Sequence, residues 1–144
     1  RFAVELVAGS EQDADYVVYL KSVAAPLKTK PLVNWTKAGL KFKNEELSVD
    51  VTRLGRSDSS LLIELQFESD VSGTLDPSVI WLIQSAKTIP IQRLVLSSLK
   101  FSKGEKVRGI VEVLKDELDQ SKPVSLEFRR KSISKVTLPR PLSW

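Results

Sequence analysis

The 144-residue chain contains no cysteine, no histidine and no methionine. The absence of cysteine excludes disulfides, iron–sulfur clusters, thiolate zinc sites and thiol nucleophiles. The absence of histidine excludes a Ser-His-Asp triad and imidazole metal ligands. An enzyme built from this chain would therefore depend on carboxylates, lysine, tyrosine, serine or threonine, or on a bound cofactor.

Long apolar segments and glycine-rich loops are also missing. The apolar run at 79–83 spans five residues, whereas a membrane helix needs roughly 18 or more. The six glycines are scattered along the chain, and neither the dinucleotide-binding nor the Walker phosphate-loop spacing occurs. We therefore expect no membrane span and no cofactor. The composition does not identify a cellular compartment, because a chain without cysteine is compatible with both oxidising and reducing compartments.

The composition is that of a soluble globular protein, with 42% hydrophobic and 28% charged residues. The length predicts one domain that comprises residues 1–144. The net charge of +4 is unevenly distributed: residues 1–72 carry 9 Lys/Arg and 11 Asp/Glu, whereas residues 73–144 carry 13 Lys/Arg and 7 Asp/Glu. A basic second half favours partners with acidic surfaces, among them nucleic acids.

Alternating hydrophobicity predicts strands in the first half of the chain. Segments 2–7 and 16–21 are rich in apolar and β-branched residues, as strands are. Between residues 40 and 68, three runs with apolar residues at alternate positions are separated by polar turns. This pattern predicts an antiparallel meander with one face in water. Pro26 and Pro31 predict a loop or an edge segment over 23–35, because proline removes donors from a sheet.

Two helices are predicted in the second half. Asp76 followed by Pro77 is typical of a helix N-terminus, which predicts a helix over about 77–87. Ser102 and Glu105 have the spacing of a capping box, which predicts a second helix over about 104–119. The apolar stripe of that second helix consists of Val107, Ile110, Val111, Leu114 and Leu118.

The order of elements leads to a predicted fold class. Strands are expected at 91–99, 124–128 and 133–138, again from apolar residues at close or alternate spacing. Strands outnumber helices, and the meander is antiparallel. We therefore predict an α+β fold, in which an antiparallel or mixed sheet carries both helices on one face.

Catalytic groups are few, and their spacing is unfavourable. Asp50, Glu64 and Glu68 lie on the polar side of the predicted meander, where solvent is expected to surround them and no acid–base pair is expected. The Ser-x-x-Lys spacing occurs at 97–100 and 132–135, but positions three apart on a strand face opposite ways. We therefore expect no enzyme activity, no catalytic residue and no metal site.

The tryptophans are the predicted partner-binding residues, because exposed tryptophans beside apolar neighbours dominate many interfaces. They are Trp35, Trp81 and Trp144. Trp81 lies in the run 79–83, which is more apolar than one helix face requires, so its ring is expected to point away from the sheet. The alternative is that each ring covers an edge of the core, and this alternative is favoured for Trp35 and Trp144. The leading hypothesis is a non-catalytic protein-interaction module that acts as a subunit, adaptor or assembly factor.

The second hypothesis is a sequence-independent nucleic-acid-binding domain. Several Lys and Arg residues together neutralise phosphates without reading bases. The predicted contacts are Lys100, Lys103, Lys106, Arg108, Arg129, Arg130, Lys131, Lys135 and Arg140. Single-strand binders also present exposed aromatic rings among their charges, and few aromatic residues lie near these nine. Partner identity and oligomeric state remain open at this stage.

Overall fold

The computed structural model describes residues 3–6 and 33–139. The predicted strand at 16–21 and the predicted site residues Arg140 and Trp144 lie outside these residues. No helix in the described parts of the chain is long and apolar enough to cross a membrane.

Strands account for nearly all the regular structure. Those found among the described residues are β1 (Ala3–Leu6), β2 (Asn34–Asn44), β3 (Leu47–Arg56), β4 (Ser60–Ser69), β5 (Gly73–Thr74), β6 (Ile80–Gln84), β7 (Lys87–Thr88), β8 (Arg93–Leu96), β9 (Lys100–Phe101), β10 (Lys106–Leu114), β11 (Val124–Arg129) and β12 (Ile133–Thr137). Single 3₁₀ turns at Pro77–Val79 and Lys115–Glu117 are the helical elements of this part of the chain.

These strands form three sheets. A six-stranded sheet has the order β1-β8-β10-β4-β3-β2, a four-stranded sheet has the order β12-β11-β6-β7, and β5 pairs with β9. Strands β1 and β8 are parallel, and the other pairs are antiparallel. The six-stranded sheet is therefore mixed.

The core lies between the two larger sheets. Phe128 of β11 contacts Phe42 of β2 and Phe67 of β4, with ring centroids 5.4 and 5.7 Å apart. Ile80 and Leu82 of β6 join the same buried cluster as the inward side chains of β3, β4, β8 and β10. Two sheets that pack face to face over one apolar layer make a β-sandwich.

The predicted α+β fold with two packed helices is wrong. At 77–87, Asp76 caps the backbone N–H of Ser78 as expected, but the helical turn ends at Val79 and the chain continues as β6. At 104–119, the chain forms β10 and one 3₁₀ turn. The Ser102–Glu105 spacing belongs to a tight turn, in which the Glu105 N–H donates to the Ser102 carbonyl at 2.9 Å.

Burial on both faces explains the error at β10. Val107, Val111 and Val113 face the sandwich core, while Ile110 faces the other way and is equally buried. A strand that is buried on both sides loses strict alternation, so its apolar residues also match helical spacing. The signal in the sequence of β10 that favours a strand over a helix is its high content of valine and isoleucine, which are β-branched.

The antiparallel pairing of the meander is confirmed, whereas its outer face is only partly in water, because Leu62 and Glu64 are buried there. Strands β2, β3 and β4 pair in order, with Leu40 opposite Val51 and Val51 opposite Leu65. The segment predicted as a loop or an edge segment over 23–35 is described from residue 33 onward, and there Trp35 lies in β2, an edge strand of the six-stranded sheet. Strands predicted at 91–99, 124–128 and 133–138 correspond to β8, β11 and β12, and the segment 2–7 contains β1.

Candidate protein-interaction surface

The outer face of the four-stranded sheet combines aromatic, aliphatic and basic side chains. Inward positions of β6 and β11 are buried, so alternate positions point away from the core. We name the outward set the Trp81 face; it consists of Trp81, Ile83, Ser125, Glu127, Arg129, Ile133, Lys135 and Thr137.

Strand register brings these residues into cross-strand rows. Glu127 of β11 lies between Trp81 of β6 and Lys135 of β12. One step along, Arg129 lies opposite Ile133. Because facing residues on neighbouring strands are in side-chain contact range, Trp81 and two of the predicted basic residues share one surface.

Trp81 is held in place by an arginine. The Arg129 guanidinium lies 4.3 Å from the centroid of the Trp81 ring, which is cation–π geometry. The Nε of the same guanidinium donates to Glu127 Oε1. Trp81 points outward from β6 together with Ile83 and is half-buried, because Arg129 covers part of the indole. The predicted helix, in which Ile83 faces the sheet and Trp81 points away from it, does not form.

Aliphatic side chains flank this group. Ile133 is 66% exposed, the most exposed of the large hydrophobic side chains in the described residues, and Ile83 is half-buried. Lys131, in the turn between β11 and β12, and Lys135 are exposed and form no ion pair with any described residue. The face therefore offers apolar contact area beside uncompensated positive charge.

Trp35 lies on the opposite side of the sandwich. It faces outward from the six-stranded sheet and packs with Leu62 and Ile110, which are fully buried. The Arg53 guanidinium lies 4.2 Å from the Trp35 ring centroid and donates twice to the Glu64 carboxylate, at 2.7 and 2.6 Å. This environment gives Trp35 a packing role, which is the role that the sequence favours for it.

The predicted basic residues do not share one face. Lys106 and Arg108 point outward from the six-stranded sheet, whereas Arg129 and Lys135 belong to the Trp81 face. Lys100 lies in β9, and Lys103 lies in the turn that follows it.

Arg130 is directed towards another part of the sandwich. It pairs with Glu46 at 2.6 Å, and this hydrogen bond from the guanidinium lowers the pKa of the Glu46 carboxyl below its ordinary value of 4.5. Arg130 also donates to the carbonyl of Asn44 at 3.3 Å. It therefore joins the β2–β3 turn to the β11–β12 turn.

The three carboxylates weighed as catalytic groups do not form a reactive pair. Glu64 is 6% exposed, contrary to the expected solvent position, and Arg53 neutralises it. Asp50 and Glu68 line a depression of about 420 Å³ on the six-stranded sheet, together with Lys41, Lys43 and Lys106. No group of three or more acidic residues with metal-binding geometry occurs in the described parts of the chain.

Two aliphatic members of the Trp81 face did not stand out in the sequence. Ile83 looked like part of a helix face, and Ile133 looked like an ordinary strand residue. The detectable signal was the alternation along β11. Val124, Leu126 and Phe128 point into the core, so the intervening residues Glu127 and Arg129 point outward. The pairing that adds Trp81 depends on long-range register, which no local pattern contains.

Comparisons with known proteins support the architecture alone. No protein-family model and no curated protein matches the chain. A functionally unknown protein from Listeria monocytogenes EGD-e is similar in structure, with a TM-score of 0.52 and 9% identity over 76% of this chain and 88% of that chain. The archaellum periplasmic stator protein FlaG from Sulfolobus acidocaldarius has a TM-score of 0.43 and 9% identity over 73% of this chain and 98% of that one. The similarity to the Listeria protein concerns the fold alone. The fold class of this chain is the β-sandwich.

Proposed function

We propose that this chain is a non-catalytic β-sandwich domain that binds another protein through the Trp81 face, as a subunit, adaptor or assembly factor. The observation that carries the proposal is the joint placement of Trp81, Arg129 and exposed Ile133 on one sheet face. Tryptophan and arginine are the residues on which interface energy most often concentrates.

Preorganisation supports this proposal. Arg129 is held by both the Trp81 ring and Glu127, so little side-chain freedom is left for a partner to remove. Binding then costs less conformational entropy than it does with free side chains. The sheet beneath the face is anchored in the core, because Ile80, Leu82 and Phe128 are buried there.

The arrangement of carboxylates supports the non-catalytic part. Among the described residues, buried Glu64 accepts from Arg53 and Thr52, and buried Glu112 accepts from Ser60 at 2.9 Å and lies 3.5 Å from Arg93. Both oxygens of Glu64 accept from Arg53, and Oε1 of Glu112 faces Arg93 without a hydrogen bond, so each carboxylate is paired with an arginine. A general base needs a lone pair that reaches a substrate.

Comparative capture tests the proposal. Immobilised wild-type chain and the variants Trp81→Ala and Ile133→Ser are exposed to extracts of the source cells, and retained proteins are quantified by mass spectrometry. Leu114→Ser is the matched control, because Leu114 is another exposed aliphatic residue, 37% exposed and outside the Trp81 face.

We expect a protein that wild type and Leu114→Ser retain equally and that both face variants lose by about tenfold, which corresponds to about 1.4 kcal/mol. Circular dichroism of each variant checks that the fold persists. The same retained proteins for all four chains would contradict the proposal, as would a wild-type chain that retains nothing.

A further inference from the structure

We propose that the Trp81 face binds an acidic, extended protein segment that also carries an apolar side chain. This inference rests on the proposed function and adds the chemistry of the partner. It follows from the charge on the face, the spacing of its residues and the exposure of Ile133.

The charge of the four-stranded sheet is strongly one-sided. Strands β6, β7, β11 and β12 and the turn between β11 and β12 contain five basic residues and one acidic residue, Glu127. Glu127 is bound to Arg129, and Arg130 is bound to Glu46. Among the described residues, Lys131 and Lys135 form no ion pair, although Glu127 lies opposite Lys135 and Glu45 accepts a hydrogen bond from Ser132 beside Lys131. Carboxylates in a protein partner are complementary to these two lysines.

The spacing of the face suits an extended chain. Ile133 and Lys135 are two residues apart on β12, so their side chains leave the sheet on the same side, roughly 6.6 Å apart. An extended segment has the same repeat of two residues. A segment that lies along β12 can therefore place an apolar side chain on Ile133 and a carboxylate on Lys135.

The isoleucines of the face, one exposed and one half-buried, favour a protein segment over nucleic acid. A phosphate backbone has no apolar group that would cover Ile133, which is 66% exposed, or Ile83. Nucleic-acid surfaces also use a continuous basic path, whereas Lys106 and Arg108 lie on the other sheet. Displacement of a bound peptide by an oligonucleotide at physiological salt is therefore an outcome that would count against the inference.

Selection from a displayed library of random peptide segments tests the inference. The wild-type chain is the bait, and the selected peptides are sequenced and synthesised. Their affinities are measured for wild type, for Lys131→Gln/Lys135→Gln, for Ile83→Ser/Ile133→Ser, and for the control Lys103→Gln, which changes a basic residue outside the face. Oligothymidine is added as a competitor.

We expect selected peptides to be rich in Asp and Glu with apolar residues between them. Removal of both lysines should weaken binding roughly five- to twentyfold, since exposed charge pairs contribute up to about a factor of five each. Lys103→Gln should have no effect, and oligothymidine should not displace the peptides.

The outcomes separate the two proposals. Peptides that need Ile83 and Ile133 but are not acidic would overturn the inference and leave the proposed function standing. Peptides that bind all variants equally, or failure to select any binder, would overturn both. Displacement by oligothymidine would assign the face to nucleic acid and would also overturn both.

Discussion

At the residue scale, the same three-part contact occurs on both outer faces of the sandwich. An arginine lies against a tryptophan ring and pairs with a glutamate, as Trp35–Arg53–Glu64 on one sheet and Trp81–Arg129–Glu127 on the other. The two contacts differ in their surroundings, because Trp35 also packs on the fully buried side chains of Leu62 and Ile110. One contact therefore stabilises the fold, and the other shapes a surface.

The packing role of Trp35 leads to a prediction at Gly55. A Cβ on Gly55 would lie 2.6 Å from Val33 Cγ1 and 2.8 Å from Trp35 Cζ3. We expect Gly55→Ala to lower the free energy of unfolding by about 1–3 kcal/mol, because overpacking forces neighbours to shift. Gly73→Ala is the control: its Cβ meets nothing within 4 Å, so the change should stay within about 0.5 kcal/mol. Urea denaturation measures both, and equal midpoints would contradict the packing role.

The Arg130–Glu46 pair predicts a shifted titration. The hydrogen bond from Arg130 lowers the pKa of Glu46 below 4.5, so the ionised form is favoured in the folded state. The pair therefore stabilises the fold above the unfolded pKa and ceases to do so as pH falls through the folded value. NMR titration should give a Glu46 midpoint below 4.5 that rises towards 4.5 in Arg130→Gln.

Asp119 provides the internal control for that titration. Hydrogen bonds from Ser121 lower the pKa of Asp119, and Arg130 takes no part in them. The Asp119 midpoint should therefore be the same in both chains. A Glu46 midpoint unchanged by Arg130→Gln would show that the pair contributes nothing in solution.

At the element scale, local patterns were sufficient where apolar and polar residues alternate along a strand and insufficient where both faces of the strand carry apolar residues. The meander from Leu40 to Phe67 alternates, and it was predicted with its turns. Strands β6 and β10 were predicted as helices, because Ile83 and Ile110 place apolar residues on the outer faces as well. Local capping at Asp76 was correct and still did not extend a helix, since long-range pairing of β6 with β11 prevailed.

A polar junction between two turns holds β12. The buried side chain of Asn44 donates to the Ser132 carbonyl at 3.1 Å and to Ser134 Oγ at 3.0 Å, and Ser134 Oγ donates to the Lys43 carbonyl at 3.0 Å. These bonds matter because β12 itself has no fully buried residue. The edges of the two sheets are thus joined by hydrogen bonds as well as by apolar packing.

This junction predicts the behaviour of Asn44→Ala. Loss of a buried partner leaves acceptors unsatisfied and costs about 1–3 kcal/mol, so amides of β12 should exchange with solvent at least about fivefold faster. Hydrogen exchange followed by NMR measures this. Ser98→Ala, which alters an exposed local turn, should leave those rates unchanged. Unchanged β12 exchange in Asn44→Ala would show that other contacts hold the strand.

At the scale of the whole molecule, the sequence identified several residues of the Trp81 face but not that they share one surface. Trp81, Arg129 and Lys135 were each named from composition and position, in two separate hypotheses. Only the order β12-β11-β6 places them on one surface. The same topology sends Lys106 and Arg108 to the opposite sheet, so a charge count over the second half overstates the charge that one partner meets.

That division of charge predicts a shallow salt dependence for nucleic-acid binding. The Trp81 face and its turn offer Arg129, Lys131 and Lys135, so the logarithmic slope of affinity against salt should be no steeper than about −3, whereas all nine predicted residues acting together would give about −8. Titration of labelled duplex DNA at several salt concentrations measures the slope. We expect weak binding at low salt that Lys135→Gln reduces and Lys106→Gln leaves unchanged. A slope near −8, or equal sensitivity to both substitutions, would mean that nucleic acid wraps both sheets, and the protein-binding assignment of the Trp81 face would then lose its main support.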